Sequence, residues 1–125
     1  MRSPLRIATT FLGVFFALQG LVWIAKPGRA AEGLGMPLLD GLGRSTQIGD
    51  FASFFLAAGT TMILGARPGN ARLLLVPAGM LGAAAVVRTL AWALHGAAFA
   101  AAFIAIEVAV AALLVVAVRR LDAAG

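Results

Sequence analysis

Apolar side chains follow one another along this chain in four long runs, and charged residues collect in the gaps between them. The first run is Ile7 to Ala25, with Arg2 and Arg6 before it and Lys26 and Arg29 after it. The second occupies 47–66, between Arg44 and Arg67; the third occupies 73–94; the fourth, 97–118, is closed by Arg119 and Arg120. A helix needs roughly 20 apolar residues to cross a hydrocarbon core about 30 Å thick. Every run meets that length. None alternates with a period of two, and lipid accepts only helices or closed barrels as spanning structures. The pattern predicts an all-α protein, an integral membrane four-helix bundle in a single domain, 1–125.

The connections differ. Residues 26–46 hold Pro27, Gly28, Gly33, Gly35, Pro37, Gly41 and Gly43 and are expected as a long loop. Its apolar stretch GLGMPLLDGLG argues that it lies on the membrane surface or folds over the bundle mouth as a lid. The second connection turns at Pro68-Gly69. The third is little more than His95-Gly96, so spans three and four are expected as a tight antiparallel hairpin, with Gly96 in the left-handed conformation that closes a helix. The first run is longer than the ~7–15 residues of a signal-peptide core and no small-x-small cleavage site follows, so it is read as a retained helix.

Orientation follows from basic residues in the flanks. The side of both termini carries six: Arg2, Arg6, Arg67, Arg72, Arg119 and Arg120. The opposite side carries three: Lys26, Arg29 and Arg44. Both ends are expected in the cytoplasm, in a bacterial inner membrane.

Composition agrees. The chain is 62% hydrophobic and 12% charged, where a soluble domain is about 45–50% apolar and about 25% charged. The net charge of +5 does not point to nucleic acid, because the basic residues other than Arg88 flank the runs and form no basic face. The expected partners are membrane lipids. With no cysteine, disulfides and thiolate chemistry have no donors, and a single histidine does not point to a structural metal site. No phosphate-binding loop or Ser-His-Asp set is present, and no cofactor is expected.

The informative residues are the polar ones inside the runs. An ionised group at bilayer depth costs about 2.5–3.5 kcal/mol on insertion scales, so it rarely stands there without a partner or a task. Arg88 lies seven residues before His95, ~10 Å below the outer end at 1.5 Å per residue. Glu107 lies ten residues after Ala97, ~15 Å deep. Gln19, Gln47 and Asp50 fall in the same outer half. Arg88, Trp92 and His95 share one helix face at i, i+4, i+7, and Phe103 shares a face with Glu107. The candidate catalytic set is Asp50, Glu107, Arg88 and His95; the candidate ligand-binding set is Gln19, Gln47, Trp92 and Phe103. Each has a bland counterpart. Arg88 and Glu107 make an ion pair that fixes helix register, and Trp23 and Trp92 make interfacial belt residues. Asp50 has three candidate environments: paired with Arg44, among headgroups, or protonated in an apolar cavity. Close helix packing is expected at Gly79-x-x-x-Ala83 and at Ala101, Ala105 and Ala109.

Arg44-Ser-Thr-Gln-Ile-Gly49, Val87-Arg88, His95-Gly96 and Glu107 together make the C-terminal two-thirds resemble a DoxX-like family of small four-helix membrane proteins of unknown function. The resemblance implies a four-helix bundle with Arg44, Arg88 and Glu107 as family features. It supplies no activity. His95 stands where that family often has Asp, and Asp50 where it usually has Gly.

Three functions fit these residues. The first is an intramembrane site that binds a small lipophilic molecule and performs acid/base chemistry on it, such as isomerisation, cyclisation or epoxide opening. Two carboxyls in different environments divide acid and base roles; here these are Asp50 and Glu107, with Arg88 orienting one of them. The second is a non-enzymatic accessory subunit of a larger membrane complex. The third is a proton-coupled transporter working as a homo-oligomer, with Glu107 as the proton carrier.

Overall fold

A computed structural model describes residues 2–123. The chain forms α1 (Arg2–Ala25), α2 (Pro27–Gly33), α3 (Gly41–Gly65), a 3₁₀ turn (Ala71–Leu74), α4 (Leu75–His95) and α5 (Ala101–Ala123). The four long helices are long and apolar enough to cross a membrane, as in a multi-pass integral membrane protein.

Each long helix buries only a narrow stripe. In α1 it is Thr9, Gly13, Phe16, Gly20 and Trp23; in the 3₁₀ turn and α4 it is Leu74, Ala78, Leu81 and Ala85; in α5 it is Glu107, Leu114, Ala117 and Leu121. Spacings of three, four and seven put these residues on one face of a 3.6-residue helix. Many of the other apolar side chains point outward, with Phe11 73% and Leu94 69% exposed. That is a liability in water and the requirement in hydrocarbon.

The helices pack in two pairs, α1 on α3 and α4 on α5, closed by contacts of α1 with α5 and of α3 with α4. At one end Arg6 Nη1 donates to the Ala66 carbonyl at 2.8 Å, and Arg72 pairs with Asp122 at 3.4 Å. The start of α1 therefore meets the end of α3, and the start of the third span meets the end of α5. Arg6 also supplies a partner for one of the carbonyls that a helix C-terminus leaves free.

Close backbone approach occurs between α1 and α3, not where the sequence placed it. A Cβ built on Gly59 would stand 2.6 Å from the Gly13 carbonyl oxygen, and one on Gly13 would stand 2.8 Å from that of Gly59. Gly20 makes the same kind of approach, 3.1 Å from the Ala52 carbonyl. Gly79, Ala83, Ala101, Ala105 and Ala109 face outward, and a Cβ on Gly79 would meet nothing within 4 Å. Counting small residues could not tell the inward stripe from the outward one.

The expected long loop is largely structured. Pro27 opens α2 at its first turn, where the missing N–H is not needed. Ala30 and Ala31 of α2 bury against Trp23 and Ala52. Trp23 is 1% exposed and stacks on Phe51 at 5.0 Å, so it is a core residue rather than an interfacial anchor. Helix α3 begins at Gly41, six residues before the expected 47, and the span that was to open at Ala97 opens at Ala101. Gly96 ends α4 with φ 67, as expected of a left-handed cap.

Two cores result. One, at the end holding Arg6 and Asp122, is built on Phe16, Ala58, Met62, Leu74, Leu81, Leu114 and Leu121. The other joins Trp23 and α2 to Ala52. Between them the two helix pairs do not fully meet.

A candidate ligand cavity between the helix pairs

That gap is a cavity of about 460 Å³. Helix α1 contributes Phe15, Phe16 and Gln19; the end of α2 and its successor contribute Gly33 and Leu34; α3 contributes Asp50, Phe51, Phe54 and Phe55. Helix α4 adds Leu81, Ala84 and Arg88, and α5 adds Phe103, Ile106, Glu107 and Val110. The volume lies within the ~300–1,000 Å³ of small-molecule sites, which are mostly apolar with a few converging polar groups.

Arg88 and Glu107 are bonded to each other on the lining of this space. Arg88 Nε donates to both carboxylate oxygens of Glu107, each at 3.0 Å. The Glu107 side chain is 12% exposed and that of Arg88 35%. The Arg88 guanidinium lies over the Phe103 ring, 4.8 Å from its centroid, a cation–π contact. Because α5 starts at Ala101, Glu107 is six residues into its helix, while Arg88 is seven residues before the end of α4. The two levels match to within about one residue's rise of 1.5 Å. Arginine does not have to reach down to a deeper carboxylate, as the later start expected at Ala97 would have required.

Asp50 shares the cavity lining but not the ion pair. It is exposed rather than buried, and it also lines a second groove with Leu39, Leu42 and Gln47. Arg44, one of the candidate partners for it, binds Asp40 instead at 3.1 Å and donates from Nε to the Leu39 carbonyl at 2.8 Å. Among the described residues Asp50 forms no ion pair.

The remaining candidates divide. Gln19 and Phe103 line the cavity with Asp50, Arg88 and Glu107. Gln47, Trp92 and His95 do not. Gln47 is buried and ties down the segment before α3: its Oε1 accepts from the Leu39 N–H at 2.7 Å and its Nε2 donates to the Pro37 carbonyl at 3.1 Å. Trp92 is half exposed and meets Phe99 edge-on at 5.2 Å. His95 is the exposed last residue of α4.

Sequence reasoning missed the aromatic lining. Six of the chain's eight phenylalanines face the cavity. A signal was present: Phe51, Phe54 and Phe55 at i, i+3, i+4 begin one residue after Asp50, and Phe15 and Phe16 stand four and three residues before Gln19.

Comparison with family models, with curated proteins and with solved structures finds no match to this chain. The class that the fold defines is an all-α, multi-pass membrane bundle.

Proposed function

We propose that the chain binds a small lipophilic molecule in the cavity and performs acid/base chemistry on it, with Asp50 and Glu107 as the acid and base and Arg88 as the orienting group. The observation that carries this reading is the coincidence of three ionisable side chains from three helices in one aromatic-walled space. A pair made only to hold α4 to α5 needs neither the space nor Asp50. The basic flanks favour both chain ends in the cytoplasm of a bacterial cell, with the cavity in the outer leaflet. On this reading α4 and α5 are an outward-going hairpin.

The test is to purify the chain into lipid nanodiscs and identify retained small molecules by solvent extraction and mass spectrometry. Wild type and Asp50→Asn are expected to retain the same compound, while Ala84→Phe, which fills the cavity from α4, loses it. When the compound is returned to the protein, Asp50→Asn is expected to convert it at least about 100-fold more slowly, the usual weight of one acid/base group. Recovery of bulk phospholipid alone from all three proteins would end the proposal.

A second reading has one observation behind it. The small residues Ala101, Ala105 and Ala109 form an outward stripe on α5, the kind of surface on which membrane helices associate. It suits a subunit of a homo-oligomer or larger membrane complex. The chain has no cysteine, so Ala105→Cys introduces a single reporter. On this reading mild oxidation in native membranes yields a disulfide-linked dimer or a discrete larger adduct; a species that stays monomeric counts against it.

A further inference from the structure

We infer that the occupant of the cavity is a neutral lipophile recognised through a carbonyl oxygen, and that the recognising groups are the two terminal amino groups of Arg88. This rests on the ligand-binding reading above and names its chemical class. Arginine carries N–H donors on three nitrogens. Glu107 takes only the one on Nε, through both of its oxygens. Among the described residues Nη1 and Nη2 have no hydrogen-bond partner, and they are not sealed off, since the buried polar atom left without a partner is Thr9 Oγ1. They belong to a guanidinium that lies over the Phe103 ring at the wall of the cavity. Donors left over in an apolar site favour any ligand that brings an acceptor to them.

Charge decides which acceptor. Glu107 already balances Arg88, so the pair attracts no net anion. Asp50 on the same lining has no ion-pair partner among the described residues, so a carboxylate or phosphate head would put a second acidic group beside an unpaired one. A ketone, ester or amide oxygen accepts from both amino groups without bringing charge into an aromatic enclosure. Asp50 beside phenylalanines could instead recruit an organic cation. Its exposure and its place in the second groove let water or headgroups solvate it, whereas the Arg88 donors are partly enclosed.

The experiment uses the full chain in nanodiscs of diether phospholipid, which contain no ester carbonyl. A long-chain ketone carrying a diazirine is photo-crosslinked, and the labelled positions are mapped by mass spectrometry. Four competitors of matched length are 2-tridecanone, dodecanoate, dodecyltrimethylammonium and tridecane. Labelling on α3 and α5 near Phe54 and Phe103 is expected, with 2-tridecanone competing at least about tenfold better than the other three, the weight of a hydrogen bond to a charged group. Arg88→Lys keeps a positive charge beside Glu107 but removes the planar fork, and is expected to erase the preference for the ketone. Repeating the assay in ester-linked phospholipid separates the sources: weaker labelling there identifies a bilayer lipid's own ester carbonyl as the occupant, and unchanged labelling identifies a free ketone-like ligand. Equal competition by all four compounds overturns the inference while leaving lipophile binding intact, and preference for the ammonium transfers recognition to Asp50. Absence of specific labelling removes both readings.

Discussion

Gly59→Leu is expected to abolish the native pairing of α1 and α3. The new Cβ alone would stand 2.6 Å from the Gly13 carbonyl oxygen and closer still to the Ala17 backbone nitrogen. These are backbone atoms on a facing helix, so no side-chain rotation relieves the clash and the helices must separate. Overpacking a core costs about 1–3 kcal/mol where side chains can yield, and more is expected here, because the whole of α1 has to move. The readout is thermal unfolding in mild detergent, where a loss above ~3 kcal/mol lowers the midpoint by roughly 10 °C or more. Gly79→Ala is the matched control. Its Cβ meets nothing within 4 Å, and replacing a mid-helix glycine by alanine favours the helix by roughly 0.5–1 kcal/mol. If both variants melt like wild type, the glycine-mediated crossing is wrong.

The second large effect is expected at the Arg88–Glu107 pair. Arg88→Met leaves the Glu107 carboxylate, 12% exposed, without its counter-charge. Breaking a buried pair from one side costs about 3–5 kcal/mol, whereas replacing both partners by apolar residues is often neutral or stabilising. The double variant Arg88→Met/Glu107→Met is therefore expected to recover most of the stability lost by Arg88→Met, with a coupling between the two sites well above the ~0.3–0.5 kcal/mol scatter of independent sites. A double variant as unstable as the sum of the singles would mean that the two side chains act separately. Recovery of stability without recovery of ligand retention would separate the pair's part in folding from its part in the cavity.

These predictions depend on details that differ in how visible they are along the chain. The four spans are legible because hydrocarbon imposes a length and a uniform polarity on any helix that crosses it. Residues 26–46 read as a loop in the sequence because glycine and proline mark turns. Here Pro27 starts a short helix, Gly41 starts α3, and Trp23 is covered by Ala30 and Ala31 rather than by headgroups. Gln47 carries the same lesson. A glutamine near a span's end reads as a free polar group, yet its amide is taken up by the Leu39 N–H and the Pro37 carbonyl.

By itself the sequence determined that the protein is helical, that four of its helices can span a bilayer, and that Arg88 and Glu107 are too costly there to be incidental. Each of these follows from local chemistry: the length of an apolar run, or the desolvation of a charge. Only the tertiary structure decided which partner each charge takes. Arg44 closes on Asp40, Arg88 on Glu107, and Asp50 is left at the cavity with neither. It also decided that α1 and α3, rather than α4 and α5, meet through glycines, and that six phenylalanines enclose one space. In a membrane every outward face is apolar and so is every inward one, so hydrophobicity does not reveal how a helix is turned about its own axis. That rotation is set by contacts between residues far apart in the chain, and it alone determines which side chains share a cavity.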